Sequence, residues 1–71
     1  MAFSSSFKSI VFDYDSQDRI AYIGQHPLEG VSYSNPGWYV KKFTYDANSN
    51  IIRIEGPLKG PWQNKESLSW R

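Results

Sequence analysis

Apolar side chains recur at every second position in the first strand-like segment of the chain, where Ile10, Phe12 and Tyr14 alternate with smaller or polar residues. The next four residues are Asp-Ser-Gln-Asp. They favour a turn, because such side chains bond readily to nearby backbone groups. A second alternating stretch then begins near Ile20. The pattern predicts a β-hairpin over about residues 7–25.

A second hairpin is predicted over about residues 38–55. Its first strand has Trp38 and Val40 on one face, and Tyr39 and Phe43 on the other. An Asp-Ala-Asn-Ser-Asn turn separates this strand from a returning strand rich in isoleucine. Because both faces of the first strand carry aromatic rings, we expect it to be buried on two sides or against a partner.

Proline and glycine bound the two hairpins. They predict a loop over residues 26–37 and an end to the sheet at residues 56–61, because proline lacks an N–H and glycine weakens a strand interior. Residues 62–71 are predicted to form a short turn and an extended C-terminal tail that docks on a partner. Residues 1–6 are predicted to form a flexible or partner-docking N-terminus. We therefore expect one mostly β domain, residues 1–71, formed by a small antiparallel sheet or partial barrel. The predicted core residues are Ile10, Phe12, Tyr22, Ile23, Ile52 and Ile54.

The composition excludes several kinds of site. The 71-residue chain has no cysteine and one histidine, which excludes disulfides, cysteine-based metal sites and multi-histidine metal sites. We expect no cofactor. No apolar stretch approaches the roughly 20 residues that a membrane-spanning helix needs. The opening residues also lack the basic and apolar regions of a signal peptide. We therefore expect synthesis in the cytoplasm and no membrane partner.

The polar residues do not predict catalysis. His26 and Glu29 could form an acid–base pair, but both fall in a loop where exposed polar residues are routine. Asp15 and Asp18 are residues that a hairpin turn favours, and with Asp13 they lack the spacing of a calcium-binding loop. No serine lies in a nucleophile-elbow sequence, and no glycine-rich phosphate loop is present. We expect a protein that is not an enzyme.

Aromatic and basic residues are interleaved on the third predicted strand, as in sheets that bind single-stranded nucleic acid by stacking. The net charge is only +1, however, and no basic stripe extends beyond Lys41 and Lys42. An aromatic strand in a small β domain is more typical of a core. Nucleic acid is therefore not the expected partner.

The aromatic content favours association with other polypeptides. Three Trp, five Tyr and four Phe are more than a chain of this length readily buries, since each ring covers about 150–250 Å². Free sheet edges can also pair with a neighbouring chain. We expect a homo-oligomer or repeated copies in an assembly. The residues predicted to contact partners are Phe3, Phe7, Trp38, Tyr39, Phe43, Trp62, Leu68 and Trp70.

One short segment resembles a known repeat. Residues 45–51, Tyr-Asp-Ala-Asn-Ser-Asn-Ile, are similar to one unit of the YD repeats of Rhs-type toxins. A single unit implies a similar hairpin turn, and no toxin function is inferred from it.

A broader resemblance covers much of the chain. Residues 22–24, 37–46 and 62–70, in this order, are similar to small proteins encoded among the virion genes of tailed bacteriophages. Lys65-Glu66 stands where that pattern has Arg-Ala, and Trp70 stands where it has Tyr. The resemblance implies a component of the phage virion.

The expected function is thus a non-enzymatic structural role in a tailed-phage virion, through contacts with other virion proteins. The expected positions are the capsid exterior (as a cement or decoration protein), the neck, or the tail, including the baseplate and fibre attachment. Two alternatives remain open at this point. One is a carbohydrate- or receptor-binding module of a fibre, in which exposed Trp and Tyr rings would stack on a sugar and exposed tryptophans would favour this role. The other is a small nucleic-acid-binding phage regulator.

Overall fold

The computed structural model describes residues 7–70. Its elements are β1 (Ser9–Tyr14), β2 (Ile20–His26), β3 (Trp38–Tyr45), β4 (Ile51–Gly60) and a short 3-10 helix, Trp62–Ser67. The strands form one antiparallel sheet in the order β1-β2-β3-β4. The predicted mostly β fold, built from two hairpins, is confirmed. The sheet is open and does not close into a barrel.

The two hairpin turns have the same construction. Asp15 opens the first turn and Asp46 opens the second. In each, one carboxylate oxygen accepts hydrogen bonds of 2.8–3.0 Å from the backbone N–H groups two and four residues later. The fourth residue of each turn, Asp18 or Ser49, has a positive φ of 61° or 64°. Because the aspartate carboxylate accepts these backbone N–H groups, each turn closes without a glycine.

The two hairpins also share a sequence pattern. Residues 12–23 and residues 43–54 both read Phe-x-Tyr-Asp, four variable residues, Ile, two variable residues and Ile. A Pro-Leu-x-Gly segment follows each, at residues 27–30 and 57–60. The first of these segments lies in the loop after β2, whereas the second forms the end of β4. The chain is therefore two variants of one hairpin unit placed side by side.

β4 continues past the point where the sequence predicts that it ends. The segment from Gly56 to Pro61 was expected to terminate the sheet, but the strand extends to Gly60. The register passes from Glu55 opposite Lys42 to Leu58 opposite Val40, so the two intervening residues form a bulge. β4 is an edge strand, and a proline in a bulge of an edge strand removes no ladder hydrogen bond. The prediction of an earlier end was wrong because the local sequence does not show that β4 lies at the edge of the sheet, where a proline is tolerated.

One face of the sheet is covered by the chain's own C-terminal segment. The register places Val11, Gly24 and Val40 in one row on this face, and the 3-10 helix brings Trp62 onto it. Trp38, Val40 and Trp62 form the buried core of the described residues. Gly24 makes room for the indole, because a Cβ there would lie 2.5 Å from Cε3 of Trp62. We call this side the covered face.

The opposite side, which we call the open face, carries Ile10, Phe12, Ile23, Gln25, Tyr39, Lys41, Phe43, Ile54 and Lys59. Ile10, Phe12 and Ile54 are 52%, 49% and 57% exposed. They were predicted to be core, as was Ile52 at the second bulge of β4, which is also exposed. Of the six predicted core residues, only Tyr22 packs against the observed core. Strand alternation groups residues by face, but the C-terminal segment decides which face becomes interior.

Candidate functional site

Two of the tryptophans predicted to contact a partner belong instead to the core of this chain. Trp38 is 1% exposed and Trp62 is 7% exposed. Their ring centroids lie 6.4 Å apart, and Nε1 of Trp38 donates a 3.0 Å hydrogen bond to the carbonyl oxygen of Ser32. These indoles present almost no surface to another molecule. The expectation that they form an interface is therefore corrected.

The C-terminal tail likewise packs against its own sheet up to Trp70. Nε1 of Trp70 donates a 2.6 Å hydrogen bond to the carbonyl oxygen of Lys65. The Trp70 ring lies 6.0 Å from that of Tyr22. Leu68 is half-buried against the same core, and Nζ of Lys65 forms a 3.3 Å ion pair with Asp13. The predicted docking tail, residues 62–71, is thus the cover of the sheet over the residues described.

The remaining predicted interface residues fall on or beside the open face, apart from Phe3. Phe3 and the predicted N-terminal segment lie outside the described residues. Phe7 contacts Tyr39 edge to face, with ring centroids 5.7 Å apart. Phe43 is half-buried opposite Ile54. The structure therefore groups Phe7, Tyr39 and Phe43 with residues that the sequence had assigned to the core.

The open face carries exposed apolar side chains on both hairpins. Phe12 pairs with Ile23 across β1 and β2, and Phe43 pairs with Ile54 across β3 and β4. Four strands about 4.8 Å apart, with about six residues each at roughly 3.3 Å per residue, give the whole face, polar positions included, a footprint of roughly 400 Å². Exposed apolar side chains grouped on one surface of a monomer are often functional. The one sequence signal for this surface was the presence of aromatic rings on both faces of β3.

Lysines are placed among these apolar residues. Lys41 lies opposite Ile23 in the middle of the face. Lys59 lies opposite Tyr39, and its Nζ is 5.6 Å from the centre of the Tyr39 ring. Lys42, the neighbour of Lys41, points to the other side of the sheet, where its Nζ lies 5.8 Å from the ring centre of Trp70. The Lys-Lys pair is therefore divided between the two faces.

His26 has a structural role in the loop after β2. Its ring is buried, and its Nδ1 accepts a 3.0 Å hydrogen bond from the N–H of Leu28. Nε2 therefore carries the proton and donates a 3.1 Å hydrogen bond to Oδ1 of Asn35. The same oxygen accepts the N–H of Gly37. Both ring nitrogens are thus occupied in fixing the loop, and neither is directed at Glu29.

The aspartates of the turns are also occupied. Backbone N–H groups lower the pKa of Asp15 and of Asp46, the largest contributions coming from Arg19 and Asn50 respectively. Nε of Arg19 forms a 2.8 Å ion pair with Asp15. Within residues 7–70, no three acidic or histidine side chains are grouped so that they could hold a metal ion.

A shallow groove lies between β4 and the C-terminal segment. Its volume is about 330 Å³, and it is lined by Glu55, Gly56, Leu58, Ser69 and Trp70.

On the same side of the sheet, burial raises the pKa of Tyr22, and the carboxylates of Glu66 and Asp13 add to the effect. Among the described residues, no helix is long and apolar enough to cross a membrane.

Comparison with known proteins adds no relative. No protein family, no curated protein and no solved structure matches this chain.

Proposed function

We propose that this protein is a non-enzymatic structural component that acts through protein–protein contacts, and that the open face is its docking surface. The single observation that supports this best is the exposure of Ile10, Phe12 and Ile54 on one face of the sheet. Apolar side chains grouped in this way are normally covered by another molecule. The described part of the chain provides no cover for them.

Burial of these side chains would provide a substantial driving force. About half of Phe12 is exposed, at 49%. If its ring contributes about 150–250 Å² in all, a partner would remove roughly 75–120 Å² from water. At about 25 cal/mol per Å², this corresponds to about 2–3 kcal/mol for one residue, before the cost of association. Ile10 and Ile54 add contributions of the same kind.

The proposed place of action is a tailed-phage virion, with synthesis in the cytoplasm of a bacterial host. The resemblance of residues 22–24, 37–46 and 62–70 to phage virion proteins supports this placement. A virion also suits a chain with a very small core, because assembly stabilises each folded copy by mass action. The proposed locations are the capsid exterior, the neck, or the tail with its baseplate and fibre attachments, where the chain is present in repeated copies.

The two alternatives gain less support from the geometry. Exposed indoles would favour carbohydrate binding by stacking, whereas Trp38 and Trp62 are buried. Nucleic-acid binding was considered because aromatic and basic residues are interleaved on the third strand, but Lys41 and Lys42 lie on opposite faces and do not form one basic surface. Protein docking is therefore the function we propose.

Incorporation into particles tests the proposal. An epitope-tagged chain carrying Phe12→Ser and Ile54→Ser would be supplied during phage growth and followed into purified particles. We expect wild-type chain in the particles and a loss of the double variant. Leu28→Ser is the matched control, because Leu28 is an exposed apolar residue in the loop after β2 and not on the open face. Equal incorporation of all three chains would contradict docking by the open face, and absence of the wild type would contradict the virion role.

A further inference from the structure

We infer that the open face binds a partner protein whose contact surface is apolar and bears carboxylates, and that this partner is not a second copy of the chain. The inference rests on the proposed docking function and specifies the chemistry of the partner. It follows from the way that charged side chains are divided between the two faces of the sheet.

The charges on the open face are all positive. Lys41 lies near its centre, and Lys59 lies beside Tyr39. These two ammonium groups lie among the apolar side chains, so a partner that covers the surface also covers or approaches them.

The carboxylates of the chain lie elsewhere. All seven Asp and Glu side chains fall within the described residues. Their positions are as follows: Asp13 and Glu55 on the covered face, Asp15, Asp18 and Asp46 in the hairpin turns, Glu29 in the loop after β2, and Glu66 in the 3-10 helix. A net charge of +1 thus conceals a basic open face.

A second copy of this chain is a poor match for such a face. A two-fold dimer brings the same surface patch together from both subunits. Two open faces in contact would therefore oppose lysines to lysines, with Lys41 near the centre and no carboxylate available on either side. A buried ammonium group without a partner costs several kcal/mol. Like charges in this arrangement select against self-association and favour a complementary surface.

Nucleic acid is also a poorer match than a protein. Single-stranded nucleic acid binds to sheets through rings that are free to stack on bases. The Tyr39 ring is already contacted at its edge or face by Phe7 and by Lys59. Phe12 is half exposed and Phe43 is half-buried, and Ile10, Ile23 and Ile54 occupy much of the rest of the face without providing a stacking surface. Aliphatic side chains of this kind pack well against the side chains of another protein.

A peptide selection tests the charge inference directly. The purified 71-residue chain would be used to select binders from a library of short random peptides. The affinities of the selected peptides would then be measured for the wild type, Phe12→Ser, Lys41→Glu and Arg53→Glu. Arg53→Glu is the matched control, because Arg53 undergoes the same change of charge at an exposed position opposite Thr44, on the other side of the sheet. Circular dichroism would confirm that each variant keeps the strand signal.

We expect selected peptides that combine apolar residues with Asp or Glu. Their affinity should fall at least about tenfold with Lys41→Glu, as for other close charge pairs at interfaces. It should be unchanged by Arg53→Glu and lost with Phe12→Ser. Peptides without acidic residues, or peptides that bind Lys41→Glu equally well, would overturn the charge inference while leaving docking at the face intact. Binding that is insensitive to Phe12→Ser, or a library that yields no binder, would overturn the docking function as well.

Two further measurements address the other occupants. Sedimentation of the wild type at tens of micromolar should show a monomer, and a dimer that Phe12→Ser dissociates would identify a second copy as the occupant. A labelled oligothymidine should not bind. Binding that weakens steeply with salt and is lost with Phe12→Ser would assign the face to nucleic acid. Either result would overturn the inference.

Discussion

Replacement of Trp62 by alanine is the perturbation to which this fold should be most sensitive. The indole is the largest contribution of the C-terminal segment to the core, and it contacts Trp38 in the interior. Its packing over Gly24 connects the segment to the centre of the sheet. Loss of the ring should therefore uncover the face that the segment protects.

The magnitude follows from the burial of the ring. Trp62 is only 7% exposed, and a buried Trp→Ala change costs about 3–5 kcal/mol. A domain of this length has about 4–11 kcal/mol of stability in total, at roughly 0.05–0.15 kcal/mol per residue. The variant should lose at least about a quarter of this stability. Trp62→Phe, which retains an aromatic ring, should lose less and remain folded.

Urea unfolding followed by far-UV circular dichroism measures the difference. For an m-value of roughly 1 kcal/mol/M, a loss of 3–5 kcal/mol lowers the midpoint by about 3 M or more. Phe12→Ala is the comparison, because Phe12 is half exposed and its truncation should cost about 1–2 kcal/mol or less. If Phe12→Ala destabilises the protein as strongly as Trp62→Ala, both faces of the sheet are packed in the isolated chain and the division into covered and open faces is wrong.

Three other variants test particular contacts. Gly24→Ala should lower the melting temperature, because its Cβ would lie 2.5 Å from the Trp62 ring and overpacking costs about 1–3 kcal/mol; an unchanged melting temperature would contradict the close approach. Tyr45→Phe removes the hydroxyl that donates a 2.7 Å hydrogen bond from β3 to a carbonyl of β2; we expect a loss of about 1 kcal/mol in urea unfolding, and no loss would show that the bond is weak. Asp15→Asn with Asp46→Asn should reduce the sensitivity of stability to acid. The folded-state pKa of both aspartates is lowered, so their contribution is present above about pH 4 and is lost as the pH falls below it; an acid-unfolding midpoint identical to that of the wild type would argue against this.

The strands and turns were predictable because their signals are local. Ile10, Phe12 and Tyr14 show the alternation of a strand, and an aspartate at the start of each turn supplies acceptors for the turn's own N–H groups. The end of β4 was not predictable in the same way. Pro57 is compatible with a strand only at an edge or a bulge. The sequence around it does not show which strand lies at the edge of the sheet, so the extension of β4 could not be predicted.

The choice of interior face required information from distant parts of the chain. The alternation on β3 showed two apolar faces, and it could not show that Trp62 returns to cover the face with Trp38. One signal was available, however. Gly24 interrupts an otherwise regular strand, and a glycine within a strand often marks the close approach of another group. The repeated Phe-x-Tyr-Asp pattern was a second signal, since it predicts two equivalent hairpins.

Because Trp62 and Trp38 are interior, the surplus of aromatic residues has to be sought elsewhere. It lies on the open face, together with isoleucines that strand alternation alone had assigned to the core. We therefore still predict a partner, but we now expect it to contact Phe12, Ile10 and Ile54 instead of the buried tryptophans.

The most direct measurement is the accessibility of individual side chains in the isolated protein. A soluble paramagnetic agent would be added to the dilute, isotopically labelled chain, and the relaxation of methyl and aromatic signals would be recorded by NMR. The account predicts strong relaxation at Ile10, Phe12 and Ile54 and weak relaxation at Val40. Protection of the first three residues in a dilute monomer would contradict it, because the chain would then cover the face that we assign to a partner.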